Sequence, residues 1–168
     1  MKNRTFLNVT VAVLLINLLA DRISKIAATA FLKDREVFSF LFGSFKMIYV
    51  ENTGAFLSLG SHWPAPLKYA VFIIIPAAFC FYGIYYCIIK CTDIKMAVLL
   101  STIIGGGLGN LIDRVIFDFK VVDFLNFGIG NLRTGVLNIA DLSVTFGAIL
   151  LIAYDLLKGR KPDITEEE

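Results

Sequence analysis

Charged residues are few in this sequence of 168 residues. Lys, Arg, Asp and Glu together make up 18% of the chain, whereas about a quarter is usual in a soluble domain. Hydrophobic residues make up 57%, and the mean hydropathy is +0.75. The formal net charge is only +2 and the basic residues are scattered, so no nucleic-acid partner is expected. These proportions indicate a membrane protein.

Histidine and cysteine are also scarce. His62 is the only histidine, which excludes two-histidine zinc sites and most Ser-His catalytic arrangements. Cys80, Cys87 and Cys91 follow one another at i, i+7 and i+11 of one apolar stretch, and no second group of cysteines exists to pair with them. We interpret them as small residues of a membrane helix. The sequence therefore predicts no metal, no other cofactor and no disulfide.

Four segments are long and apolar enough to cross a hydrocarbon core, which takes roughly 20 helical residues. They cover about 6–27, 67–89, 96–115 and 136–157. The first imitates a secretory signal, but charged Asp21, Arg22 and Lys25 follow its apolar run before any small-residue cleavage site. We therefore expect an uncleaved first span and a single membrane domain over residues 1–168.

Basic residues collect at the two termini and in the connection between the second and third spans. They are Lys2, Arg4, Lys90, Lys95, Lys158, Arg160 and Lys161. The other two connections, about 31–66 and 116–135, are longer and poorer in Lys and Arg. Because cytoplasmic loops carry the excess of Lys and Arg, both termini are predicted to be cytoplasmic. The acidic tail, Asp163 and Glu166 to Glu168, is predicted to be a solvated end.

The first outer connection, about 33–62, is predicted to form a small sheet. The segments 37–42 and 45–50 are rich in aromatic and β-branched residues and flank Gly43-Ser44, which is a hairpin pattern. Its many phenylalanines favour an apolar ribbon that rests on the membrane surface or grips something apolar there. The predicted fold is an α-helical polytopic membrane protein, with four transmembrane helices and a small extracytoplasmic β-sheet.

Three carboxylates fall at one depth near the outer interface. At about 1.5 Å per helical residue, Asp21, Asp113 and Asp141 each lie roughly 25 to 27 Å from the basic end of their own span. Ionisable groups at such a depth usually face the bundle interior, so a functional site is the default interpretation. For Asp21 and Lys25, at i and i+4, we favour an intrahelical ion pair that only orients the first span.

The glycine run 105–109 stands directly before the polar residues of the third span. Asn110 and Arg114 follow it, and no Gly-Lys-Ser/Thr element is present, so a phosphate-binding loop is excluded. The alternative to a functional role is a glycine-rich face for close helix packing with a polar end. Asn138 occupies the corresponding level of the fourth span.

Asp123 stands in an apolar stretch after the third span, and Asp141 has no basic residue within a turn. If the two approach each other, both cannot ionise cheaply, and they would share one proton. The ionised member could then activate water while the protonated member polarises a peptide carbonyl, as in an aspartic protease. Spacing alone leaves this chemistry and a proton-coupled transporter both open, and it favours the transporter.

Five sequence blocks resemble, in order and spacing, the motifs of the lipoprotein signal peptidase family, also called signal peptidase II. The blocks are Asp21-Arg22-Ile23-Ser24-Lys25, Asn52-Thr53-Gly54-Ala55-Phe56, the run from Gly105 to Arg114, Val121-Val122-Asp123-Phe124, and Asn138-Ile139-Ala140-Asp141. The resemblance covers nearly the whole chain. Gly107, where alanine is common, and Leu137, where phenylalanine is usual, depart from the pattern without removing a functional group.

The resemblance implies a metal-independent aspartyl endopeptidase of the bacterial cytoplasmic (inner) membrane. Enzymes of this family remove the signal peptide of prolipoproteins just before a cysteine that carries diacylglyceryl. By position, Asp123 and Asp141 match the catalytic pair. Matches to substrate-binding residues are Asn52, Gly54, Asn110, Arg114 and Asn138, and matches to supporting residues are Asp21, Lys25, Gly106, Asp113 and Ala140.

The resemblance also implies an extracytoplasmic β-sheet cradle at the membrane surface, an active site near the outer face, and membrane lipid as a partner. It allows inhibition by cyclic peptides of the family type. A Ser/Lys peptidase using Ser24 and Lys25 is disfavoured because adjacent helical residues point about 100° apart. A binding module for lipidated proteins stays open at this point, since it would keep the cradle without needing both aspartates.

Overall fold

The computed structural model describes residues 2–55 and 59–158. Phe56 of the second motif block, Arg160 and Lys161 of the basic set, and the acidic tail lie outside the described residues. The predictions made for them are therefore not tested.

Within these described residues, four helices are long and apolar enough to cross a membrane. They are α1 (Lys2–Leu32), α2 (Ala65–Lys90), α3 (Ile94–Ile116) and α4 (Ile139–Lys158). All four predicted spans are confirmed, with shifted ends. α1 runs five residues beyond the predicted range because Ala28 and Leu32 pack beneath the sheet against Phe124 and Leu125.

The start of the fourth span was predicted three residues too early, at residue 136. Val136 and Leu137 instead end a β-strand, and Asn138 stands between that strand and α4. An apolar strand that runs straight into an apolar helix leaves no break in hydropathy. Hydropathy alone therefore placed the boundary inside the strand.

An antiparallel sheet covers the outer end of the bundle, with strand order β1-β2-β3-β4. The strands are β1 (Phe38–Phe40), β2 (Phe45–Asn52), β3 (Val121–Ile129) and β4 (Leu132–Leu137). The predicted first hairpin is confirmed, although Leu41–Gly43 forms a 3-10 turn that shortens the first strand, and the second strand runs two residues further than predicted. The second hairpin was not predicted, although Gly130-Asn131 between two apolar runs is a two-residue turn pattern.

The turns of both hairpins lie at the same end of the sheet and are joined by two hydrogen bonds. The Arg133 guanidinium donates to the Gly43 carbonyl at 2.8 Å, and the Gly128 amide donates to the Ser44 carbonyl at 2.9 Å. Large apolar side chains stand exposed on these turns, with Phe42 exposed completely. The aromatic side chains at the turn of the predicted ribbon are therefore exposed at the protein surface. Its placement on a membrane surface stays a prediction.

Helix α3 is the centre of the bundle and packs against α1, α2 and α4. Its glycines allow this closeness. A Cβ on Gly105 would lie 2.7 Å from Asn17 Cβ of α1, and one on Gly106 would lie 2.4 Å from the Ala140 carbonyl oxygen of α4. The glycine run therefore provides close helix packing, which was the alternative to a functional role. This packing also brings the polar residues of three helices together.

Candidate active site

Asp123 is held at the end of the sheet that faces the bundle. It lies on β3 opposite Val50 of β2, and it is 3% exposed. Its Oδ1 accepts a hydrogen bond from Asn138 Nδ2 at 2.6 Å, and its Oδ2 accepts one from Asn52 Nδ2 at 3.0 Å. Two amides from separate elements therefore fix the orientation of this carboxyl group.

Asp141 is held by a reciprocal cap at the start of α4. Asn138 Oδ1 accepts from the Asp141 amide at 2.9 Å, and Asp141 Oδ2 accepts from the Asn138 amide at 3.0 Å. This is the geometry of a capping box, built here from Asn-x-x-Asp. The local sequence alone therefore positions the second aspartate at a helix N-terminus, where negative charge is stabilised.

Asn138 joins the two aspartates. Its side-chain amide donates to Asp123, and its backbone amide donates to Asp141. The structure thus brings to one residue two carboxyl groups that are 18 positions apart in sequence. The sequence left open whether Asp123 and Asp141 approach each other, and in the structure both contact this one asparagine.

Asn110 of α3 supports Asp141 from the other side. Its Nδ2 donates to Asp141 Oδ1 at 2.8 Å, while its Oδ1 accepts from Lys25 Nζ at 3.0 Å and from Asn138 Nδ2 at 3.1 Å. An ammonium group can only donate, so Lys25 forces the amide oxygen toward itself and the amide nitrogen toward Asp141.

Arg114 lies one turn further along α3, next to the loop after β2. Its guanidinium donates to the Gly54 carbonyl at 3.0 Å and to the Asn110 carbonyl at 3.2 Å, and it lies 5.6 Å from the centroid of the Phe72 ring. The Gly54 amide in turn donates to Asn52 Oδ1 at 2.9 Å. All five residues predicted to bind substrate therefore belong to the hydrogen-bond network around the two aspartates.

Lys25 connects α1 to α3 rather than acting within α1 alone. Its ammonium lies 2.7 Å from Asp21 Oδ2 and 2.6 Å from Asp113 Oδ2, and all three side chains are 2% exposed. The interpretation as an ion pair that only orients the first span is therefore wrong. The second partner lies 88 residues away, where helical spacing cannot reveal it.

Asp21 extends the same network to α4. Its Oδ1 accepts from the Ala140 amide at 3.0 Å, which satisfies an N–H group that the first turn of a helix leaves without an intrahelical partner. Gly109 allows this approach, since a Cβ there would lie 2.7 Å from Asp21 Oδ2. Four of the five predicted supporting residues, Asp21, Lys25, Asp113 and Ala140, thus form one buried network behind the aspartates.

The charges of the site balance only if it holds one proton. Its carboxylates are Asp21, Asp113, Asp123 and Asp141, and its cations are Arg22, Lys25 and Arg114. Four negative and three positive charges leave one excess negative charge, and burying an unpaired charge is costly. Burial is the largest cause that raises the pKa of Asp123 to about 6; the charge of Asp141 acts in the same direction, and the Asn52 and Asn138 hydrogen bonds oppose the shift.

Residues 13–157 match the family described as Signal peptidase (SPase) II. The chain belongs to the signal peptidase II family. The protein is therefore a protease, and the proton-coupled transporter considered from spacing alone is not supported. Its substrates are prolipoproteins, from which it removes the signal peptide.

Relatives cover most of the chain. The lipoprotein signal peptidase of Borrelia hermsii is 39% identical over 135 residues, which is 75% of this chain and 76% of that protein. The lipoprotein signal peptidase of Borreliella burgdorferi strain ZS7 is 33% identical over 165 residues, 95% and 96% of the two chains. A bacterial membrane enzyme solved at 2.3 Å resolution superposes with a TM-score of 0.77 at 28% identity, covering 95% of this chain and 93% of that chain.

Sequence reasoning left two members of this signal peptidase II site without a role. Arg22 stands in the first motif block, and its guanidinium forms an ion pair with Asp113 while lying 5.4 Å from the Phe117 ring centroid. Gly109 was grouped with the glycine run and not connected with Asp21. Arg22 directly follows the predicted site residue Asp21, but its partner Asp113 lies on another helix, so the ion pair becomes visible only in the folded bundle.

Gly106→Ala is expected to disturb the signal peptidase II site, because the new methyl group would clash with the Ala140 backbone one residue before Asp141. We expect a loss of about 2 kcal/mol in the free energy of unfolding, as for other overpacked sites, together with a lower cleavage rate. Gly107→Ala is the matched control, since its Cβ would meet only the Cys80 sulfur at 3.3 Å. Unfolding in mixed micelles checks both variants, and equal stability would contradict the packing argument.

Proposed function

We propose that Asp123 and Asp141 are the catalytic pair with which this protein removes the signal peptide of prolipoproteins, cutting before a diacylglyceryl-modified cysteine. The observation that carries this proposal is the double contact of Asn138, whose side chain binds Asp123 and whose backbone binds Asp141. A buried and a half-buried carboxyl group held at one asparagine, in a site that balances with one proton, have the composition of an aspartic protease dyad.

We assign the shared proton to Asp123 and the negative charge to Asp141. The pKa of Asp123 is raised to about 6 by burial. Asp141 lies in the first turn of α4 and accepts hydrogen bonds from Asn110 Nδ2 and the Asn138 amide. Each aspartate accepts hydrogen bonds from two N–H donors, so the helix N-terminus at Asp141 distinguishes them, because it favours a carboxylate.

In the first step, Asp141 takes a proton from water while the water oxygen bonds to the scissile carbonyl carbon. Asp123 gives its proton to the carbonyl oxygen, which produces a neutral gem-diol. In the second step, the carbon–nitrogen bond breaks, the proton held by Asp141 passes to the leaving amine, and one hydroxyl proton returns to Asp123. Water is thereby divided between the new carboxyl group and the new amine of the lipidated cysteine.

Arg114 and Asn52 are proposed to bind the substrate backbone beside the dyad. Arg114 Nε is buried and has no hydrogen-bond partner within residues 2–55 and 59–158, so a donor at this position is unused. Asn52 and Gly54 form the turn that leaves β2 next to Asp123. A peptide carbonyl that approaches the dyad would meet the Arg114 charge, which stabilises the partial negative charge on the carbonyl oxygen in the transition state.

We propose that both termini are cytoplasmic and that the dyad lies near the outer face of the bacterial inner membrane. Basic residues collect at the start of α1, in the connection from α2 to α3 and at the end of α4. These three places lie at the opposite end of the helices from the sheet, which supports this orientation. Membrane lipid would then surround the acyl chains of the substrate. Cyclic peptides that inhibit this family are expected to bind at the dyad beside Asn52 and Arg114.

The activity is tested with the purified full-length protein and a prolipoprotein carrying diacylglyceryl on its cysteine. Cleavage directly before that cysteine is expected, and the same chain without the lipid is expected to be cut far more slowly, because the acyl chains hold the scissile bond at the membrane interface. Equal cleavage of both substrates would contradict a site selective for lipidated substrate. Absence of cleavage of either would contradict the proposed function.

The pH profile of kcat/KM is expected to be bell-shaped. At high pH the dyad loses its proton, so activity should fall as the pH rises through the Asp123 pKa of about 6. At low pH the second carboxyl group takes up a proton, and no base remains for the water. Initial rates at constant ionic strength check this, and a profile that rises without a descending limb would contradict the shared proton.

A further inference from the structure

A lateral cleft separates α2 from α4. Over their described residues, both helices pack along α3 and make little contact with each other. The half of this cleft distant from the sheet holds a cavity of about 520 Å³ with a mainly apolar lining. The mechanism described above uses none of the residues of this cavity.

One wall of the cleft begins at the dyad. Asp141, Thr145, Ala148, Ile152 and Asp155 follow at i, i+4, i+7, i+11 and i+14, which places them on one face of α4. Ile152 and Asp155 line the cavity, and Thr145 and Ile152 are exposed. The face that presents Asp141 to the site therefore continues along the cleft and ends at a second carboxylate.

The opposite wall has the same course. Phe72, Phe79, Gly83 and Tyr86 of α2 follow at i, i+7, i+11 and i+14. Phe72 lies beneath the Arg114 guanidinium, and the other three residues line the cavity. Phe72 is itself buried, so the open part of this wall is the cavity, and α2 connects it to the residues around the dyad.

The floor of the cleft is a face of α3. Asn110, Gly107, Leu100 and Met96 share this face, at i, i−3, i−10 and i−14. Leu100 and Met96 line the cavity, whereas Gly107 packs beside Cys80 of α2, whose sulfur would lie 3.3 Å from a Cβ at this glycine. This face of α3 is therefore apolar along the cavity and polar where it meets the dyad.

The length of the cleft matches a signal peptide. Asp141 and Asp155 are 14 residues apart, which corresponds to about 21 Å along a helix. The apolar region of a secretory signal has 7–15 residues, or about 10 to 22 Å when helical, and basic residues precede it. A substrate with its scissile bond at the dyad would therefore bring its basic residues to the level of Asp155.

We propose that the apolar region of the signal peptide binds as a helix in the cleft between α2 and α4, and that Asp155 contacts the basic residues that precede it. The inference rests on the proposed function and adds a specificity residue about 21 Å from the dyad. Asp155 is exposed and forms no ion pair with another described residue, whereas the nearby Lys158 is bound to Asp93 at 2.9 Å. A lone carboxylate favours a cationic segment over the phosphate groups of lipids.

Asp155→Asn tests the charge contact, with two lipidated substrates that differ only in Lys or Gln before the apolar region. For the Lys substrate we expect about a fivefold higher KM with kcat unchanged, the upper range for one exposed ion pair. For the Gln substrate the variant and the unmodified protein should have the same KM. An equal KM for the Lys substrate, or an equal rise for both substrates, would overturn the charge contact.

Leu156→Trp tests occupancy of the cleft, and Leu157→Trp is its control. The two leucines are neighbours on α4 and similarly exposed, at 61% and 67%, but only Leu156 lines the cleft. We expect Leu156→Trp to raise KM about tenfold, since it obstructs helix-in-groove binding, and Leu157→Trp to leave KM nearly unchanged. Equal effects of the two variants would overturn binding in this cleft.

Failure of this inference and failure of the proposed function give different results. If only the cleft inference is wrong, the unmodified protein cleaves both lipidated substrates and Asp123→Asn does not, while the Asp155 and Leu156 variants behave normally. If the proposed function is wrong, the unmodified protein cleaves neither substrate, or Asp123→Asn cleaves both.

Discussion

Replacing Lys25 by methionine is expected to destabilise the protein by about 3 to 5 kcal/mol, the range for removing one partner of a buried ion pair. Methionine keeps most of the side-chain volume, so the loss reports the charge. Asp21 and Asp113, both 2% exposed, would lose their shared cation. The amide of Asn110 would also be free to turn, since Lys25 holds its oxygen. The free energy of unfolding in mixed micelles measures the first effect, and the cleavage rate measures the second.

Lys33→Met is the matched control for this change. Lys33 also lies beside a carboxylate, with 4.0 Å between its Nζ and Glu51 Oε1, but its side chain is 48% exposed. An exposed pair of this kind contributes within about 1 kcal/mol. If Lys25→Met and Lys33→Met unfold with the same free energy, the buried network does not stabilise the bundle in the way described.

Hydropathy and helix depth were sufficient for the bundle and for part of the site. Four apolar runs predicted four spans, and counting residues from their basic ends placed Asp21, Asp113 and Asp141 at one level. In the structure Lys25 joins Asp21 to Asp113, and Asp21 in turn reaches the amide of Ala140, one residue before Asp141. Depth is readable because a helix rises by a constant amount per residue.

The second hairpin and the position of Asp123 were not readable in this way. β3 has consecutive apolar residues at Val121 and Val122 and again at Phe124 and Leu125, so it lacks the alternation that indicates a half-buried strand. Its pairing with β2 is long-range and sets the location of Asp123. Family resemblance supplied what the local pattern did not.

The Asn138 capping box was present in the sequence and was not used. Asn-x-x-Asp before an apolar run is a variant of the pattern that starts a helix, and it would have moved the start of the fourth span to residue 139. It would also have fixed the orientation of Asp141. The contact from Asn138 to Asp123, in contrast, requires the folded sheet.

Asp123→Asn and Asp141→Asn are each expected to lower kcat/KM by about 10⁴-fold, the upper range for general acid–base catalysis by a positioned group. Asparagine has nearly the same shape as aspartate, but its amide nitrogen cannot accept a hydrogen bond, so each variant keeps one of the two hydrogen bonds that its aspartate accepts. An amide can neither accept the proton of the attacking water nor deliver one to the carbonyl oxygen. Progress curves with lipidated prolipoprotein measure the loss, and unfolding in mixed micelles shows that each variant is folded.

The most direct test of the shared-proton dyad is the mass of the products released from a diacylglyceryl-modified prolipoprotein. The unmodified protein and Asp118→Asn, which changes an exposed aspartate in the turn after α3, are expected to release the signal peptide and leave the lipidated cysteine as the new N-terminus. Folded Asp123→Asn and Asp141→Asn should leave the substrate intact. Release of the signal peptide by either of these two variants at the rate of the unmodified protein would contradict the catalytic pair.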